Sequence, residues 1–115
     1  MRFGLIVALR RWIVNRAIEK GRIDERSSLM FVNPYLMRYV EEDRCVDIYV
    51  ERSSSEVLFD RMSVARWHSR KYDYLDSDPS AEADDEQIDD KDRKRICDVV
   101  ESELRKRGGK LVVIN

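Results

Sequence analysis

The sequence predicts an α+β domain: a small, mostly antiparallel sheet of about five strands packed against a C-terminal helix, with an additional N-terminal helix. Three features predict it. Apolar residues alternate at period two through the middle of the chain, they recur at helical spacing near its end, and a segment of helix formers closed by a glycine stands at its start. The 115 residues fit one domain, 1–115, large enough to bury a core without staples. Hydrophobic residues make up 43% and charged residues 39%, the latter well above the usual quarter or so. That balance describes a modest core under a heavily charged surface.

The N-terminal helix is expected within 1–22. Arg2 to Lys20 contains good helix formers, Lys20 suits the last turn, and Gly21 stands where a C-terminal cap belongs. Leu5, Leu9, Trp12 and Ile13 follow helical spacing, while Phe3, Val7, Val14 and Ile18 spread apolar surface round most of the cylinder. One face should pack on the domain, at an edge of the sheet or on the face that carries the other helix. The outer face has a second reading, as a membrane-surface or partner-binding helix with snorkelling arginines. The apolar run Phe3 to Leu9 is short for a secretory core, and Arg10, Arg11, Asn15 and Arg16 interrupt any spanning segment.

A β-meander is expected over 28–67. Leu29 to Val32 reads as a strand closed by Asn33 and Pro34. Tyr35, Met37 and Tyr39 then alternate with Leu36, Arg38 and Val40; Glu42 and Asp43 mark a break; Val46, Ile48 and Val50 alternate with Cys45, Asp47, Tyr49 and Glu51. This is the pattern of a hairpin. Ser53 to Ser55 make the next turn and Glu56 to Asp60 another strand, whereas Arg61 to Trp67 reads as a strand or a strand end. An acidic mobile loop should occupy 72–88, where Pro79, carboxylates and small residues leave little to bury. The C-terminal helix is expected over 89–107, capped by Asp89, with Asp90 and Asp92 in its first turn and Arg105, Lys106 and Arg107 in its last. Ile96, Val99, Val100 and Leu104 form its buried stripe. Gly108 and Gly109 end it, and a strand over 110–114, apolar on both faces, reads as an interior strand.

Chemistry-bearing patterns are scarce. His68 is the sole histidine, so no multi-histidine metal site can form. Cys45 and Cys97 lie outside any CxxC spacing and read as small core residues in a reducing, cytoplasmic setting; either one could meet His68 in space, but nothing in the sequence favours that pair. The four glycines build no phosphate-cradling loop, and no GxSxG, HExxH, Walker or EF-hand pattern occurs. The expectation is a non-enzymatic protein that needs no cofactor or metal.

Charge is segregated along the chain although the net charge is −1. Arg2 to Arg22 holds six basic residues against Glu19, Asp73 to Asp92 holds ten acidic residues against Lys91, and Arg93 to Lys110 holds seven basic residues against three acids. Local patches therefore set the field that a partner meets.

The strand pair Tyr39-Val40-Glu41 and Val46 to Glu51, then Ser63-Val64 before Trp67, Ile88-Asp89 leading to Asp92-Arg93, Arg95-Ile96, and Arg107-Gly108 before Leu111 to Ile114, resembles the small meander-plus-helix immunity proteins of bacterial polymorphic toxin systems. The resemblance covers Leu29 to Ile114 and leaves out the N-terminal helix. It implies stoichiometric binding to a toxin domain, an acidic surface set against a basic protein. Asp84, Asp85, Glu86, Asp89 and Asp90 would then be the protein-binding residues. The alternative is a nucleic-acid-associated regulatory protein that gathers Arg10, Arg11 and Arg16 with Arg93, Lys94, Arg105, Lys106 and Arg107 into one phosphate-facing surface.

Overall fold

Alternation in the central strands decides which residue meets which helix. The computed structural model describes residues 2–68 and 86–114. Helix α1 spans Arg2–Lys20 and is followed by β1 (Ser27–Asn33), β2 (Leu36–Glu41), β3 (Arg44–Arg52) and β4 (Glu56–Asp60). The 3-10 turn η1 (Arg61–Ser63), short strands β5 (Arg66–Trp67) and β6 (Glu86–Gln87), helix α2 (Asp90–Lys106) and β7 (Lys110–Ile114) complete the order. The main sheet has five strands in the order β1-β2-β3-β4-β7, antiparallel except for the β4–β7 pair. An α+β fold with a C-terminal and an N-terminal helix is thus what this sequence makes.

Register aligns like with like across the strands. Leu29 pairs with Tyr39 and Tyr39 with Val46, while Met37 pairs with Ile48 and Val50 with Phe59. All these side chains are buried on one face against Ile96, Cys97, Val100 and Leu104 of α2, with Val64, Trp67 and Ile88 closing the cluster. The intervening residues face the other way. Met30, Val40 and Cys45 form a separate buried cluster with Val14 and Ile18 of α1. The N-terminal helix therefore covers the face opposite α2, not an edge or the α2 face. The reason lies in the strands themselves: the out-of-phase residues of β1 to β3 include enough apolar ones to need a second cover.

Two further elements differ from expectation. β7 lies at the edge of the sheet, outside β4, instead of in its interior. Leu111 and Val113 pack toward α2, while Ile114, on the opposite side, is 40% exposed, so the two-sided apolar pattern is not matched by cover on both faces. The stretch after β4 is a strand interrupted. Asp60 caps η1 through its carboxylate, which accepts from Met62 N at 3.0 Å, and Ser63 Oγ accepts from Tyr49 N at 3.0 Å, before the chain returns to pair His68 with Cys45. Glu86 and Gln87, assigned from sequence to the acidic loop, pair with Trp67 and Arg66; the rest of that loop assignment falls mostly outside the described residues.

Local chemistry fixes the ends. Asp89 caps α2 as its sequence position implies, its carboxylate accepting from Asp92 N at 2.7 Å. Gly21 follows the last residue of α1, as expected of a C-terminal cap, and it also serves a second need. A Cβ there would stand 2.1 Å from the Leu29 carbonyl oxygen, so glycine is required because β1 passes against the end of α1. Leu29 N donates to Gly21 O at 2.8 Å, and Arg107 Nη2 donates to the carbonyls of both Gly21 (3.2 Å) and Leu29 (2.8 Å).

Candidate functional site

The α1 face carries polar residues in the middle of the sheet. Arg38 on β2 and Asp47 on β3 stand directly opposite each other. Arg38 is only 1% exposed, and its Nε donates to Asp47 Oδ1 at 2.8 Å. His68, also buried, brings Nε2 within 3.2 Å of the same oxygen. Burial alone would raise the Asp47 carboxyl, but the contacts of His68 and Arg38 outweigh it and hold the group down at about 2. Cys45 pairs through its backbone with His68, N to O at 2.8 and 2.9 Å in the two directions.

A thiol, an imidazole and a carboxylate thus lie on neighbouring strand positions, the components of a nucleophile, a base and its orienting group. Access is lacking. Cys45 has no exposed surface, and the three cavities described by the structure are lined by other residues. Cys97 is also buried, with its thiol pushed up to about 11 by burial and by the nearby Glu101 carboxylate. The arrangement is a polar clamp inside the fold. Sequence alternation put Arg38 and Asp47 on the same side of the hairpin as Val40 and Cys45, but it gave no sign that α1 packs on that side.

Among the described residues, nothing covers the face beside α1. α1 covers the β1 to β3 part of it, and a shallow cavity of about 330 Å³ lies over β3, β4 and β7. Tyr49 on β3 and Tyr35 at the β1–β2 turn are 68% and 67% exposed. Between them and the edge lie Leu58 and Ile114, with Glu51 and Asp60 at the rim and, among the described residues, no cationic side chain in the lining. Nothing in the sequence pattern singled this surface out, because Tyr49 and Leu58 read simply as the outward positions of half-buried strands.

Of the acidic residues expected to bind protein, Asp84 and Asp85 lie outside the described residues. Glu86 is exposed on β6, and Asp89 and Asp90 follow at the entry to α2. Asp89 is engaged as the helix cap, and Asp90 Oδ1 pairs with Arg93 Nη1 at 3.0 Å. The basic residues do not gather into one surface. Arg11 and Arg16 are carried by α1 and Arg93, Lys94, Arg105, Lys106 and Arg107 by α2, on opposite faces of the sheet. Two of the latter are engaged within the fold: Arg93 Nε donates to Val64 O at 2.9 Å, and Arg107 is tied to Glu103 as well as to the two carbonyls near α1.

Among the described residues no cluster of three or more histidine, cysteine, aspartate or glutamate side chains could hold a metal ion, and no helix is long and apolar enough to cross a membrane. Comparison with protein-family models, curated proteins and solved structures finds no match.

Proposed function

We propose that this chain is a non-enzymatic protein-binding module whose docking surface is the open sheet face over β3, β4 and β7. The observation that carries the reading is the pair Tyr35 and Tyr49, each about two-thirds exposed beside Leu58 and Ile114. Tyrosines over aliphatic ground offer large contact area at small entropic cost, and such residues are enriched where proteins bind. The acidic rim of Glu51 and Asp60, with no cation in the lining among the described residues, favours a partner that is apolar at its centre and basic around it. In its most specific form the reading is an immunity protein that neutralises a basic toxin domain one to one, as the resemblance of Leu29 to Ile114 implies. Glu86 and Asp90 would add long-range attraction.

The test is a titration with any basic protein domain found encoded beside this chain's gene, followed by light scattering and calorimetry. A one-to-one complex is expected. Tyr49→Ala should weaken it at least tenfold, and Leu58→Glu should abolish it, both without lowering the melting temperature by more than a few degrees. Complex formation indifferent to both substitutions refutes this docking surface, and no complex refutes the immunity reading.

A further inference from the structure

The outer side of α1 carries apolar residues that neither the sheet nor the proposed docking surface uses. Val14, Ala17 and Ile18 pack inward on β1 to β3. Leu9, Trp12 and Ile13 point away, at 55%, 56% and 42% exposure. Their spacing continues into charge: Leu9, Ile13, Arg16 and Lys20 stand at i, i+4, i+7 and i+11, so one outward row is apolar in its first half and basic in its second. The Arg16 guanidinium lies 5.4 Å from the centroid of the Trp12 ring. The one carboxylate of the helix, Glu19, is engaged by Arg22.

From this row we propose that α1 binds the surface of an anionic lipid membrane, lying along the interface. Each part of the row has a place there. Leu9 and Ile13 can enter the acyl boundary, Trp12 suits the headgroup level with its apolar body and N–H, and Arg16 and Lys20 can reach lipid phosphates on long apolar stems. The helix does not span, because it is not apolar enough over its length. Charge selects this occupant: the outward row ends in Arg16 and Lys20, and the helix's one carboxylate, Glu19, is engaged by Arg22, so the row complements anionic headgroups, while self-association is left as an outcome of the test. The row shares no residue with the sheet-face docking surface, which lies on the same side of the sheet beyond the cover of α1.

The chain holds its own reporter. Its two tryptophans are Trp12, exposed, and Trp67, 3% exposed in the core. Added vesicles of phosphatidylcholine with phosphatidylglycerol should shift the emission to the blue, with far weaker binding to phosphatidylcholine alone. Trp12→Phe should remove the shift while flotation still shows bound protein. Leu9→Glu with Ile13→Glu, both at exposed sites, should abolish flotation and leave the far-UV spectrum unchanged. Arg16→Gln or Lys20→Gln should each lower affinity for the anionic vesicles about fivefold, and added salt should do the same progressively. Equal binding to both vesicle types, flotation that survives the double glutamate variant, or a blue shift without lipid that accompanies dimer formation would each overturn the proposal.

Discussion

Replacing Asp47 by asparagine tests the polar clamp under α1. The carboxyl is held at about 2 in the fold, roughly two units below its ordinary value. Because the folded value lies below the unfolded one, the stabilisation is complete above about pH 5 and is lost as pH falls toward 2. At about 1.4 kcal/mol per unit, it amounts to roughly 2 to 3 kcal/mol at neutral pH. Asp47→Asn removes that and also leaves the guanidinium of Arg38, 1% exposed, beside a neutral amide. Losing one member of a buried charge pair costs about 3 to 5 kcal/mol. Urea unfolding followed by Trp67 emission should therefore give a loss of about 3 to 5 kcal/mol at pH 7. The gap between wild type and variant should narrow by about 2 kcal/mol between pH 5 and pH 2 as the native carboxylate is protonated. Arg38→Met combined with Asp47→Leu should recover much of the loss, since an apolar pair of similar volume needs no compensating charge. A loss below about 1 kcal/mol at pH 7, or a gap that does not change with pH, would show that the clamp contributes no charge-dependent stability.

Gly21→Ala should destabilise the fold by about 2 kcal/mol or more in the same assay, despite alanine's better helix propensity, because the added methyl meets the Leu29 carbonyl and disturbs the Arg107 contacts. A stabilised variant would contradict the close approach. Neither cysteine should react with a thiol-specific disulfide reagent in the native state, and both should react at once in denaturant, as Cys45 and Cys97 are buried. Rapid native labelling of Cys45 would reopen the case for a nucleophile beside His68. Asp89→Ala should cost about 1 kcal/mol through loss of the bond to Asp92 N, measured by thermal melting, and Asp89→Asn should retain most of it.

Elements with a strong period or a specific terminus were legible in the sequence. The β2–β3 hairpin follows its alternation, with Glu41 opposite Arg44 across Glu42 and Asp43, and α2 begins at the cap that Asp89 announces. Which cover lay on which face was not legible, because alternation assigns sides without saying what sits on them. Arg38 and Asp47 illustrate this: as charged outward residues they predict solvent, and a helix distant in sequence turns their side into an interior. β7 failed for a related reason. Its four apolar residues report a strand that can be covered on both faces, whereas its place at the edge follows from the return of the chain through α2 to lie outside β4. The candidate docking surface was invisible because it depends on where α1 stops covering the sheet, and no run of residues states that.

The position of β7 also sets an order of events in folding. β1 to β4 are joined by short turns, so their pairing closes small loops, whereas Glu56 must find Lys110 at the far end of the chain. The meander can collapse first on its own hairpins, and β4 then waits with one side unpaired until α2 has formed and swung its glycine-terminated end across. Substitutions at Val112 should chiefly speed unfolding, while those at Met37 or Ile48 should slow folding. For as long as it waits, the unpaired side of β4 is the part of the chain most open to strand exchange with another molecule, so the concentration at which the protein is refolded should govern its yield.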